Sequence, residues 1–254
     1  MNDELFELAV LASTRIEPKD VIGTKKEYRL HGALKYYFQP DDRFHEVKVG
    51  RYLCDATSED GREIIEVQTR SINKMRAKIS ALTKSARLTV VYPIIASKRL
   101  IVTYADEGEA SVRKSPKSGS IVDFFREIYP IRKELTRENL RFRIVYLNAD
   151  EIRVYAGKKA DRRPFQKPVS IERIPTALID VLTLEKPSDY LRFIPDGMPD
   201  RFTSADLGRA LSIPRADTGL ILNPLVSLGL IHREGRTKEG YIYARGIGDD
   251  TSSI

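Results

Sequence analysis

A mixed α/β (α+β) fold is expected, with helices packed on a mixed central sheet and a small helical module at the C-terminal end. Three observations predict it. Apolar residues recur at helical spacing in two separate stretches, short alternating strands lie between them, and RLTVVYPIIA (87–96) is a near-continuous apolar run. The composition is that of a folded chain, with 41% apolar and 31% charged residues, so a core can form and disorder is not expected.

Taken in order, Lys25 to Phe38 places Leu30, Leu34, Tyr37 and Phe38 near a 3.6-residue spacing. That spacing predicts an amphipathic helix, and Pro40 stops it. Three strands follow, at His45 to Val49, Tyr52 to Thr57 and Glu63 to Thr69. The last two are joined through Glu59-Asp60-Gly61, and Asp-Gly is a strong hairpin signal. Ile72, Met75, Ile79 and Leu82 recur at helical spacing, so Ser71 to Ser85 reads as a second helix. Arg87 to Ala96 then reads as a strand buried on both faces, reached by a right-handed crossover. Farther on, Arg99 to Tyr104 is a strand, Ser111 to Ser120 a basic flexible loop, and Ile121 to Leu135 a helix interrupted near Pro130. Arg141 to Tyr146 and Glu151 to Tyr155 read as a final pair of strands.

The expected division is a first domain over 1–158, a linker with short helical segments over 159–198, and a small domain over 199–254. The linker opens with the basic, Pro-containing run KKADRRPFQKP.

Lys and Arg number 43 against 36 Asp and Glu, a formal net charge of +7 that favours an anionic partner, most often nucleic acid. The single cysteine, Cys54, excludes an internal disulfide, and with three scattered histidines it argues against structural zinc. The start, MNDELFELAV, lacks a basic region followed by an apolar run, so it is not expected to be a secretory signal. No stretch approaches the roughly 18 apolar residues of a membrane span. A cytoplasmic protein with no membrane association is the expectation.

The chemistry is expected at Asp55, Glu66 and Gln68. Side chains alternate along a strand, so Glu66 and Gln68 share a face with Val67 opposite, and the hairpin can set Asp55 across from Glu66. Ionised carboxylates so close repel unless a cation separates them. An all-oxygen donor set suits Mg2+ or Mn2+.

Asp55, the turn and Glu66-Val67-Gln68, set in the order helix, three strands, helix, strand, resemble the PD-(D/E)XK nuclease superfamily. The resemblance spans about Thr24 to Ala96. It implies a restriction-endonuclease-like αβββαβ core in which Asp55 and Glu66 hold the metal and Gln68 stands where Lys is usual. An amide can orient water but brings no positive charge. Lys74 or Lys78, on the second helix, is the expected substitute, and both are candidate DNA contacts. The superfamily often adds an acid on the first helix, and Glu27 is the candidate. The implied reaction is metal-dependent hydrolysis of a DNA phosphodiester, and a homodimer is one assembly it allows. The alternative is a catalytically inactive DNA-binding or regulatory protein on the same fold.

Other residues read more plainly. His31 and His45 are expected to be structural or surface residues, Glu46 an edge salt bridge, and Cys54 a small core residue. The loop cations Arg113, Lys114 and Lys117 either grip phosphate or are simply solvated.

At the C-terminal end, Phe202 to Ile213 opens with a Thr203 or Ser204 cap and carries Leu207 and Leu211 at i, i+4. Ala216 to Leu228 follows as a helix with Leu220, Ile221, Leu225 and Leu228 inward and a bend at Pro224. Leu230 to Glu234 and Tyr241 to Ala244 make a hairpin. The order and the run LVSLGLIHREGRTKEGYIYA resemble a winged helix-turn-helix. The resemblance implies DNA contacts from Arg215 at the start of the second helix and from Arg233, Arg236 and Lys238 on the wing; the alternative is a protein interface, used for dimerisation or for packing on the first domain.

Overall fold

The computed structural model describes residues 3–14, 28–104, 111–155, 167–238 and 240–246. The chain forms a mixed α/β structure with a seven-stranded mixed sheet and a separate three-stranded sheet. Two compact units are present. The first joins Met1–Thr69, Leu88–Ser120 and Arg143–Leu182, and the second joins Arg70–Arg87, Ile121–Phe142 and Thr183–Ile254. Both units are assembled from distant segments, unlike the expected linear division at 158 and 199.

In the first unit, helix α1 (Asp3–Ser13) packs on helix α2 (Tyr28–Phe38). Leu30, Ala33 and Leu34 form the buried stripe of α2, and Tyr37 meets Phe6 of α1 edge-to-face at 5.6 Å. The Gln39 side-chain amide donates to the Thr57 carbonyl at 2.7 Å, tying the end of α2 to the sheet just before Pro40.

Strands β1 (His45–Val49), β2 (Tyr52–Thr57) and β3 (Glu63–Val67) form consecutive antiparallel pairs. The β2–β3 turn is closed by the Gly61 N–H to the Ser58 carbonyl at 3.0 Å, with Gly61 at φ +69. That left-handed conformation is why glycine belongs there. Strand β4 (Arg87–Tyr104) lies next to β3, and strand β5 (Ser111–Lys114) pairs with it. Strands β6 (Leu140–Tyr155) and β7 (Val169–Leu184) complete the order β1-β2-β3-β4-β6-β7. The core beneath α1 and α2 includes Ala56, Ile65, Val67, Val91, Val145, Leu147 and Ala149.

Four expectations change here. Arg87–Ala96 and Arg99–Tyr104 are one strand, as are Arg141–Tyr146 and Glu151–Tyr155. Their polar middles do not turn but pair side by side, Lys98 with Glu151 and Arg99 with Asp150, each at 2.6 Å. Ser111 to Lys114 is a strand rather than a loop, with Arg113 opposite Leu100 and Lys114 opposite Arg99. The span 159–198, read as a linker, supplies β7 to the sheet. The sequence of β7 carries a weak strand signal, because its burial does not alternate cleanly and it contains Pro175, which cannot donate to the ladder.

In the second unit, a 3-10 turn (Ile72–Met75) leads into α3 (Arg76–Leu82), and α4 (Ile121–Ile128) continues as a 3-10 segment (Tyr129–Thr136). Phe124 packs edge-to-face on Phe142 at 5.3 Å, and Phe125 on Phe193 at 4.8 Å. Strand β8 (Arg201–Thr203) precedes α5 (Ser204–Leu211) and α6 (Arg215–Ser227), then β9 (Ile231–Thr237) and β10 (Gly240–Arg245), in a sheet of order β8-β10-β9. The buried residues of α6 are Thr218, Ile221, Leu222, Pro224 and Leu225. Leu222 thus takes the inward place expected of Leu220, and Pro224 is packed inside the helix. No described helix is long and apolar enough to cross a membrane.

Candidate active site on the β2–β3 hairpin

The ladder between β2 and β3 pairs Ala56 with Ile65 and Thr57 with Ile64. One rung farther, where Asp55 would face Glu66, side chains replace the ladder. The Val67 N–H donates to Asp55 Oδ2 at 2.8 Å, and the Asp55 N–H donates to Glu66 Oε1 at 3.3 Å. The two carboxylates therefore meet at one rung, each held by the opposite strand's backbone. Glu66 is 2% exposed and Asp55 is half-buried. Buried acids of this kind are tolerated because backbone donors satisfy them. Gln68 lies just past β3, where its N–H donates to the Val91 carbonyl at 2.9 Å. Val67, the residue before it, joins the core under α1 and α2.

Helix α2 adds residues not assigned to the site from the sequence. His31 Nε2 lies 3.1 Å from Asp55 Oδ2. Burial pulls the imidazole down, but the Asp55 hydrogen bond and charge outweigh it, and the His31 pKa is raised above the ordinary value. One turn on, the buried Lys35 donates to Glu46 Oε1 at 2.7 Å, the salt bridge expected of Glu46. Glu46 itself has φ +52, a left-handed conformation that turns the start of β1. The legible signal was a His and a Lys at i, i+4 on a helix whose neighbouring positions are apolar. His45, by contrast, is structural. It bonds the Gln39 carbonyl at 2.7 Å and packs on Tyr36.

Cys54 is fully buried. Glu27 lies outside the described residues. Lys74 is exposed on the 3-10 turn and Lys78 half-buried on α3, and both belong to the second unit. Arg113, Lys114 and Lys117 are exposed, on β5 and just after it.

Among the described residues, no three His, Cys, Asp or Glu side chains are grouped so as to hold a metal ion. Asp55 and Glu66 would supply two oxygen donors from adjacent strands. That set fits Mg2+, which keeps several waters and takes one or two carboxylates together with substrate phosphate oxygens.

On the three-stranded sheet, Arg233 and Arg236 both lie over the Tyr241 ring, at 4.7 and 5.5 Å from its centroid. A register shift between Ile242 and Tyr243 brings these arginines to one face. Arg233 also donates to Asn223 of α6 at 2.7 Å. Arg215 is exposed at the start of α6, and Lys238 is exposed beyond β9. Asp217 is paired with Arg126 of α4 at 3.3 Å.

No solved structure matches the chain. An uncharacterized protein of Treponema pallidum (strain Nichols) is 37% identical over 154 residues, covering 60% of this chain and 59% of that relative's length. Residues 28–185, more than half of the chain and including His31, Asp55, Glu66 and Gln68, match the family described as Domain of unknown function (DUF8091), and the chain belongs to that family.

Proposed function

We propose that this protein is a Mg2+- or Mn2+-dependent nuclease that hydrolyses DNA phosphodiesters at Asp55 and Glu66. The observation that carries the reading is the single rung where both carboxylates meet, each fixed by the opposite strand's N–H, at 2.8 and 3.3 Å. Fixed acids of this kind hold their geometry without reorganising when substrate arrives. Asp55 and Glu66 would hold the metal, which when bound supplies charge neutralisation on phosphate and a water of lowered pKa. Gln68 orients that water through its amide. His31, from α2, positions the Asp55 carboxylate through its ring nitrogen.

The helix pair α5–α6 with the β9–β10 hairpin is a winged-helix docking module in this reading. Arg215, Arg233, Arg236 and Lys238 contact backbone phosphates. Lys74, Lys78, Arg113, Lys114 and Lys117 add sequence-independent charge.

The test is cleavage of linear, supercoiled, single-stranded and branched DNA in Mg2+ or Mn2+, beside an EDTA control and the Asp55→Asn and Glu66→Gln proteins. Cleavage lost on chelation and in both variants is expected. If nothing is cut while all three proteins retain DNA equally, the protein is a non-catalytic DNA binder instead.

A further inference from the structure

Along the middle of α6 the polar side chains are committed inside the chain. Asp217 pairs with Arg126 of α4 at 3.3 Å, and the Thr218 hydroxyl donates to the Arg215 carbonyl at 2.7 Å. The Asn223 amide is used at both ends. Its nitrogen donates to the Gly219 carbonyl at 2.6 Å, and its oxygen accepts from the Arg233 guanidinium at 2.7 Å. Beside them stand Ala216, Gly219 and Leu220, which carry no side-chain donor or acceptor for a base edge.

Arg233 is held twice. Asn223 takes it from α6, and its guanidinium lies over the Tyr241 ring at 4.7 Å, with Arg236 on the same ring at 5.5 Å. Tyr241 is 42% exposed yet anchored. It meets Tyr243 edge-on at 6.5 Å, and the buried Tyr243 stacks on Phe202 at 6.1 Å. Glu234, between the two arginines in sequence, pairs with Arg201 at 2.8 Å. Two exposed guanidinium groups therefore share one braced ring on the hairpin.

We propose that α6 reads no bases and that Asn223 is a positioning residue, holding Arg233 on the Tyr241 ring so that the β9–β10 hairpin grips duplex DNA by its backbone phosphates whatever the sequence. This mode of docking rests on the winged-helix reading of the module. A guanidinium matches phosphate oxygens with paired donors, and one already held in place loses less freedom on binding. Phosphate contacts fix orientation without carrying sequence information. A helix that reads the groove presents amides or cations to base edges, whereas α6 spends its one amide as a brace.

The test pairs two measurements in EDTA, so that nothing is cut. A pool of duplexes of randomised sequence is bound to wild type, and the retained fraction is sequenced. Fluorescence anisotropy of a labelled duplex, over a series of salt concentrations, compares wild type with Arg233→Gln, Arg236→Gln, Asn223→Ala and the Asn223→Ala/Arg233→Gln pair. No motif should be enriched. Arg233→Gln should bind about tenfold more weakly, with a salt slope shallower by about one. Asn223→Ala should weaken binding about threefold and cost nothing further in the Arg233→Gln background, because its effect runs through that side chain. Arg236→Gln leaves the Asn223 brace in place and should also weaken binding, which judges the phosphate grip even where Asn223→Ala does not fold. An enriched motif would overturn the proposal and leave docking on DNA standing. A loss in Asn223→Ala that persists undiminished in the Arg233→Gln background would overturn the positioning role. Equal affinity in all five proteins would overturn the hairpin grip. If wild type binds no duplex, the docking reading itself falls and this proposal with it, whatever the cleavage assay shows.

Discussion

Replacing Glu151 by Gln should unbalance the β4–β6–β7 edge of the sheet more than any other isosteric change there. Burial alone pushes the Glu151 carboxyl up. The Lys98 and Arg153 hydrogen bonds and the charges of Lys98 and Arg173 override it and bring the carboxyl from 4.5 down to about 2. A depression of that size corresponds to about 3 kcal/mol of native-state stabilisation at neutral pH. It agrees with the roughly 3–5 kcal/mol lost when one partner of a buried ion pair is removed. The folded carboxyl is the depressed one, so its contribution is complete above the unfolded pKa. It is lost as pH falls through the window from 4.5 to about 2. Urea unfolding of wild type and Glu151→Gln in phosphate- and sulfate-free buffer reads it directly. The expected gap is about 3 kcal/mol at pH 7, shrinking steadily as the buffer is taken below pH 4.5. A gap under about 1 kcal/mol at neutral pH, or one that does not change with acid, would refute the electrostatic account.

Leu34→Ala empties a fully buried position on α2 and should cost about 2–5 kcal/mol in urea unfolding; a cost below 1 kcal/mol would mean that α2 is not seated on the sheet. Thr203→Ala removes the α5 cap, in which the Thr203 hydroxyl accepts from the Asp206 N–H and the Asp206 carboxylate accepts from the Thr203 N–H at 2.7 Å. It should cost about 1 kcal/mol, and Thr203→Ser should restore most of it. His31, followed by NMR in metal-free protein, should titrate above its ordinary 6.5 and fall in Asp55→Asn; an unchanged titration in the variant would break the His31–Asp55 link.

Much of the first unit was legible because it is local. The period of α2, the Asp-Gly turn and the alternation of β3 predict that Glu66 and Val67 face opposite ways, and each depends only on neighbours along the chain. The hidden parts depend on distant partners. Strands β4 and β6 run straight through polar middles because Lys98 meets Glu151 and Arg99 meets Asp150, pairs about 50 residues apart in sequence. His31 looked isolated because Asp55, its partner, comes 24 positions later.

The sequence by itself determined the period of α2, the turn between β2 and β3 and the opposite facing of Glu66 and Val67, since side-chain period and turn chemistry are properties of adjacent residues. Only the tertiary structure decided that β7 joins the sheet and that two units are each built from three separate segments. It alone placed His31 on Asp55 and gathered three cations on Glu151. The physical reason is that burial and charge pairing act through space, and their energy is set by neighbours that the chain brings from far away.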